Sequence, residues 1–190
     1  MPPNFVTTIN GKHISKEKGV PTLEDVAVVL SRIPMFAGST QKVYSVAHHC
    51  LAVAKIMKHN NVYGLFHEVE VTVFGDCPGP VKIREMRTYE KRVRDDFIQS
   101  QGLQPITETI WKEVEEADQQ ELGGAARILG LKDAEKIWPT TKAIRHAKTI
   151  TQKLLKKYPP EQQLQRKSPL VRAFIKTAQK LLREQNIKKG

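Results

Sequence analysis

Cysteine is scarce: Cys50 and Cys77 are the two in 190 residues. They form neither a Cys-x-x-Cys pair nor the even, spaced set of a disulfide framework. A disulfide-stapled secreted module is thereby excluded, and a reducing, cytoplasmic compartment is the simple expectation. No apolar stretch approaches the ~20 residues that cross a bilayer, so no membrane-spanning helix is expected. The first residues, Met1-Pro2-Pro3-Asn4-Phe5, show no basic-then-apolar leader pattern and no Arg-rich amphipathic segment. Internal repeats are absent, and the longest linker-like stretch runs from Pro159-Pro160 to Pro169. With 39% hydrophobic residues, the chain is expected to be one domain with enough apolar mass for a single core.

Carboxylates nearly vanish at one end. Residues 142–190 carry 14 Lys and Arg against Glu161 and Glu184, a local charge of +12, whereas residues 1–141 balance at −1. The formal net charge of +11 is therefore entirely C-terminal. A basic surface invites a nucleic-acid partner, because cations displace condensed counterions from phosphates. Two other readings stay open: lysines that merely solvate a helix face, and electrostatic steering of anionic substrates. This region carries no recognised nucleic-acid motif and no exposed aromatics for base stacking.

Hydrophobic periodicity predicts an all-α protein. Val6-Thr7-Thr8-Ile9, Asn10-Gly11 and Lys12-His13-Ile14 suit a short N-terminal β-hairpin closed by a type I′ turn, with His13 on the surface. Thr22-Leu23-Glu24-Asp25 resembles a helix-start cap, opening a helix through Val26, Ala27, Leu30 and Ile33. Further helices are expected over about 44–58, 62–74, 83–100, 107–129, 141–158 and 169–185. Gly75 to Pro80 cannot continue a helix, since its prolines lack donors and disfavour helical predecessors. Gly123-Gly124 inside the 107–129 helix costs ~1 kcal/mol per glycine, which points to a close approach there or to a break. Arg84, Arg87, Lys91, Arg92 and Arg94 interleave with Glu85, Glu90, Asp95 and Asp96 and read as solvated surface. Trp111 and Trp138 read as core or edge residues, and His146 has no evident partner.

Against this apolar periodicity, four chemistry-bearing residues sit at inward positions. Val46, His49, Val53 and Met57 share one face at i, i+3, i+7 and i+11. His49 therefore points inward, and His48 is turned about 100° from it. In Ile110-x3-Val114-x3-Asp118-x3-Leu122 a carboxylate interrupts an apolar seam, and a buried Asp requires a cation or hydrogen-bond donors. The adjacent pair His67-Glu68 completes a set of two imidazoles and two carboxylates. Such a set on separate helices reads as one metal site inside a bundle.

The ordered series Tyr44-Ser45-Val46-Ala47-His48-His49, His67-Glu68, Gly75-Asp76-Cys77-Pro78-Gly79-Pro80-Val81-Lys82 and Glu116-Ala117-Asp118 resembles the HD-superfamily metal-dependent phosphohydrolases. The likeness is greatest to bacterial 5′-deoxynucleotidases and phage dATP triphosphohydrolases. Leu30 to Thr40 resembles the family segment before its first His, so the likeness spans roughly residues 5–145. It implies a single HD-type helical domain over 1–158 with its small hairpin, and a basic linker and helix over 159–190 packed on the same domain. It implies His49, His67, Glu68 and Asp118 as ligands of a divalent transition metal. Imidazole ligation favours Mn, Fe, Co, Ni or Zn over Mg. By the same likeness Asp76 positions the attacking water, and Lys82 lies near the phosphate of a deoxynucleotide substrate. Relatives of this kind associate into oligomers and act in the cytoplasm, the host cytoplasm if the source is viral.

Several positions depart from the pattern. The family His-Asp is His67-Glu68 here, which moves the carboxylate on the order of an ångström. Val71 stands where the family has a Glu. Glu70 is no evident substitute in a continuous helix, where it lies about 200° around from Glu68. Met35 stands where relatives carry a phosphate-contacting Arg, and Arg32, one turn earlier, is the nearest candidate for that role. Three functions fit: an active deoxynucleotide phosphohydrolase with a reshaped site, an HD-fold protein without turnover held in a larger assembly such as a ribonucleoprotein, or a nucleotide-sensing module that binds metal and ligand without turnover.

Overall fold

In a computed structural model, residues 5–15, 17–160 and 165–187 are described. The chain begins with a hairpin of β1 (Phe5–Thr7) and β2 (His13–Ser15), antiparallel, with Val6 opposite Ile14. Its five-residue connection differs from the expected two-residue turn. Thr8 N–H bonds to the Lys12 carbonyl at 2.8 Å and Gly11 N–H to the Thr8 carbonyl at 3.0 Å. Gly11 takes the positive φ of 75°, and Asn10 does not share it, whereas a type I′ turn needs both. Asn10 instead bonds through its backbone and side chain to Asp25.

All remaining regular structure is helical: α1 (Leu23–Arg32), α2 (Val46–Ile56), α3 (Asn61–Phe66), α4 (Val71–Phe74), α5 (Arg84–Ser100), α6 (Glu108–Ile128), α7 (Ala134–Ile137), α8 (Lys142–Lys157) and α9 (Pro169–Ile187). The expected cap at Thr22 forms. Its hydroxyl accepts from Asp25 N–H, and Asp25 accepts from Thr22 N–H at 2.8 Å, which satisfies two orphan donors reciprocally. No described helix is long and apolar enough to cross a membrane.

Helix α2 is the axis of the bundle. Every residue from Val46 to Ala54 is buried, and α1, α3, α6, α8 and α9 all pack against it. A helix apolar on all sides is tolerated only where neighbours cover every face. His48 and His49 therefore both lie in the interior, on different faces. The expected close approach at Gly123-Gly124 is real: a Cβ on Gly124 would lie 2.6 Å from the backbone nitrogen of Lys148 in α8. Gly124 lets α6 and α8 meet backbone to backbone, Gly123 makes room for the Trp138 and Ile144 side chains, and α6 runs through both unbroken. Helix α9 seats Leu170, Val171, Phe174 and Ala178 in the same core, against α1, α2 and α3. The linker expected between Pro160 and Pro169 falls partly on 161–164, outside the described residues.

Two further expectations are corrected. The single helix over 62–74 is instead α3 and α4, separated by turns over His67 to Glu70. His67 Nδ1 donates to the Gly64 carbonyl at 2.8 Å, the acceptor that an unbroken α-helix would offer to Glu68 N–H. The next backbone bonds then close i to i+3, as from Val71 N–H to the Glu68 carbonyl, and the β-branched run Val69, Val71, Thr72 and Val73 lowers the helix propensity further. The second correction concerns α5. Arg92 and Arg94 are not solvated surface: Arg92 bonds the Ser15 and Gly19 carbonyls, and Arg94 pairs with buried Glu70 at 2.9 Å.

Candidate metal centre

Three elements deliver one side chain each to a single point: His49 from the first turn of α2, His67 from the turn after α3, and Asp118 from the middle of α6. His49 Nε2 lies 3.1 Å from His67 Nε2 and 3.0 Å from Asp118 Oδ1, and His67 Nε2 lies 3.8 Å from the same oxygen. Ligand atoms ~2.1 Å from a shared ion stand roughly 3.0–3.4 Å apart in octahedral or tetrahedral geometry. The triangle is therefore of the size that one ion fills.

The outer hydrogen bonds aim these atoms. His49 Nδ1 donates to Glu121 Oε2 at 2.6 Å, and His67 Nδ1 donates to the Gly64 carbonyl. In their neutral forms both rings would thus turn an Nε2 lone pair toward the Asp118 carboxylate. Three lone-pair-bearing atoms converging at such distances require a cation, whether protons or a metal. Burial works against a charge on His49, yet the Asp118 and Glu121 carboxylates outweigh it and hold this imidazole well above its ordinary range. Burial likewise opposes His67, and the bond to Asp118 with the nearby Cys50 thiol pushes it up to about 10. Asp118 is raised by burial but held well below the usual carboxylate range by bonds from both imidazoles. The donor set fits a divalent transition metal, which imidazole nitrogens prefer over the oxygen-seeking Mg²⁺.

Glu121 is the residue that periodicity missed. It is fully buried, and it accepts from His49, from the Tyr44 hydroxyl at 2.7 Å and from the Thr151 hydroxyl at 2.7 Å. The apolar seam Ile110, Val114, Asp118 and Leu122 repeats at i+4 and passes it by. Glu121, one turn beyond Asp118 at i+3, shares the inward face and was the available signal. Its bond to Thr151 ties the site to α8. His48, beside His49 in sequence, serves another contact: its Nε2 donates to the Tyr158 carbonyl at 2.8 Å and its Nδ1 accepts from Ser45. Burial lowers its pKa and keeps it neutral.

The other expected residues fall around this group unevenly. Glu68 stands at its edge, Oε1 3.6 Å from His67 Nε2 and one quarter exposed. Asp76 is half-buried and makes no hydrogen bond or ion pair with a described residue. Lys82 is half-buried, with Nζ 3.0 Å from Glu90. Burial lowers its pKa, but Glu90 and, more weakly, Glu68 and Glu70 raise it on balance. Arg32 is exposed at the end of α1 and forms no ion pair among the described residues. Val71 and Met35 are both buried in the apolar core.

A second buried carboxylate lies close by. The turn after His67 brings Glu70 inside, where one oxygen pairs with Arg94 and the other is buried without a partner. Burial outweighs Arg94 and, with the charge of Glu68, pushes Glu70 up to about 8. The Arg94 guanidinium in turn stacks 4.4 Å from the Trp111 ring centroid. The 200° separation of Glu70 from Glu68 held for a continuous helix, and the break at His67 removes it.

No family model matches the chain. Among known proteins it is similar to the uncharacterized protein YfdR of Escherichia coli (strain K12), at 30% identity over 149 residues that span 74% of this chain and 80% of that protein.

Proposed function

The chain belongs to the family of YfdR, and we propose that it is a metal-dependent phosphohydrolase of the HD superfamily acting on deoxynucleotides. The observation that carries this reading is the convergence of His49 Nε2, His67 Nε2 and Asp118 Oδ1 from three separate elements. His49, His67 and Asp118 hold the ion, with Glu68 at the edge of the site as a fourth donor. When bound, a divalent transition metal (Mn, Fe, Co, Ni or Zn) supplies Lewis-acid polarisation of a phosphoryl oxygen and a lowered pKa for water. Glu121 fixes the His49 tautomer, and the Gly64 carbonyl fixes that of His67. Asp76, with no hydrogen bond or ion pair among the described residues, is the carboxylate available to orient the attacking water. Lys82 contributes positive potential to the phosphate from its pair with Glu90.

The test is release of phosphate or nucleoside from a panel of deoxynucleoside mono- and triphosphates with Mn²⁺, Co²⁺ or Zn²⁺, beside metal analysis of the purified protein. Turnover lost in His67→Ala along with bound metal is the expected result. Turnover retained by folded His67→Ala removes this cluster from the reaction.

One observation favours a second reading. Val71 and Met35 occupy two family positions for chemistry and are buried in the core, which suits a non-catalytic HD-fold component of a larger assembly such as a ribonucleoprotein. Metal bound at His49 and His67 without turnover on any member of the panel selects this alternative.

A further inference from the structure

At the C-terminal end of α8, one to two turns beyond Thr151, the chain forms a groove of about 710 Å³ that the metal centre does not use. Its floor is apolar, with half-buried Ala173 of α9 and Tyr158 over the buried Leu51 of α2 and Leu154 of α8. Its walls carry five cations, Lys55, Lys157, Lys176, Lys180 and Arg183, against one carboxylate, Glu184. Glu184 sits 3.7 Å from Lys180. Lys55, Lys157, Lys176 and Arg183 form no ion pair among the described residues, so four positive charges face the groove uncompensated. Lys176, Lys180 and Arg183 fall at i, i+4 and i+7 on α9, a stripe about 10 Å long parallel to the floor.

We propose that this groove binds single-stranded nucleic acid, the phosphates lying along the α9 stripe and the bases against the apolar floor. Charge and shape select this occupant together. Four unpaired cations in one concavity repel one another and are relieved by a polyanion, whose condensed counterions are released on binding. An acidic peptide would meet the same charge, but a strand whose phosphates alternate with flat apolar faces can also stack a base on the half-buried Tyr158 ring that lines the groove. A duplex keeps its base faces stacked inside and cannot reach that floor. The half-buried Tyr158 ring, with Lys157 Nζ 5.4 Å from its centroid, closes one end. His48 holds the Tyr158 carbonyl from α2 and so fixes where α8 ends against the groove. The proposal is independent of any reaction at the metal centre.

Neutralising four phosphates gives a slope of about −2.8 for log affinity against log salt on a single strand. That is a loss of about 50-fold between ~50 and ~200 mM salt. The experiment is fluorescence anisotropy with labelled oligo(dT) and oligo(U) of about twenty nucleotides, long enough to fill such a groove. It compares the full chain, the groove triple Lys55→Gln/Lys176→Gln/Arg183→Gln, and a control triple Lys142→Gln/Arg145→Gln/Lys153→Gln. All six side chains are exposed, the control residues do not line the groove, and both triples change net charge equally. The groove triple should retain a slope of only about −0.7, a loss of about 3-fold over the same range. The control triple and His67→Ala should bind as the full chain does. Equal weakening in both triples overturns the proposal in favour of diffuse charge, and so does absence of oligonucleotide binding at ~50 mM salt. Groove-dependent binding to phosphatidylserine–phosphatidylcholine vesicles without oligonucleotide binding overturns it in favour of a lipid surface.

Discussion

Replacing Glu121 by Gln changes almost no volume but alters one proton. The carboxylate accepts three bonds: Tyr44 and Thr151 at Oε1, His49 Nδ1 at Oε2. A Gln carbonyl can keep both hydroxyls, which leaves its NH₂ facing His49 Nδ1. Two donors cannot share that contact at 2.6 Å, so His49 must shift to the tautomer with Nδ1 as acceptor and the proton on Nε2. That proton then occupies the position from which His49 ligates. Loss of such an outer partner costs 10- to 100-fold in metal affinity, and the wrong tautomer places Glu121→Gln at the upper end, about 100-fold or ~2.7 kcal/mol. Stability falls less, because two of the three buried bonds survive. One charge-assisted bond contributes ~2 kcal/mol, or a Tm shift of roughly 4–8 °C for a chain of this size. Competitive titration of Zn²⁺ against a chromophoric chelator gives the affinity, and thermal unfolding of chelated protein gives the stability. A folded Glu121→Gln protein that binds Zn²⁺ as tightly as wild type refutes the reasoning, because the Nδ1 bond would then not set the tautomer.

Gly124→Ala gains ~1 kcal/mol of helix propensity but drives a methyl to 2.6 Å from the Lys148 backbone nitrogen. Backbone cannot rotate away, so net destabilisation of ~1–3 kcal/mol is expected in urea unfolding; a variant as stable as wild type would mean that α6 and α8 separate freely. Arg94→Ala leaves Glu70 buried without its cation and removes the stack on Trp111. A loss of ~3 kcal/mol is expected at pH 8 and above, and an unchanged midpoint there would show that the pair contributes little. The third concerns pH in the absence of metal. His67 is raised from 6.5 to about 10, so its proton contributes stability that is fully present below about pH 6.5 and lost as pH rises toward about 10. A divalent ion takes the place of that proton. The rise in Tm on adding Mn²⁺ to chelated protein should therefore be larger at pH 9 than at pH 6, and an equal rise at both would count against proton–metal exchange at this cluster.

Local pattern was sufficient for much of this molecule. Apolar residues at 3.6-residue spacing and the Thr22–Asp25 cap marked the helices, because both signals depend on neighbours within one or two turns. Inward His49 and Asp118 were legible for the same reason, as polar residues on otherwise apolar stripes. The Gly123-Gly124 pair marked either a close approach or a break, because glycine suits both, and only the packing of α6 on α8 decided for the approach. What covers those stripes was not legible. Glu121 reads as one more acid on a charged helix until Tyr44 and Thr151, 77 and 30 residues away, are brought to it. Arg92 and Arg94 read as solvated until the turn at His67 and the hairpin supply their partners. That turn itself depends on an imidazole taking a backbone carbonyl, a competition that side-chain periodicity does not register. The basic groove follows the same division: most of its charge is written in residues 142–190, but Lys55 joins it and its concavity exists only where α2, α8 and α9 leave space between them. Periodicity decides which face of an element turns inward, and packing between distant segments decides what that face meets.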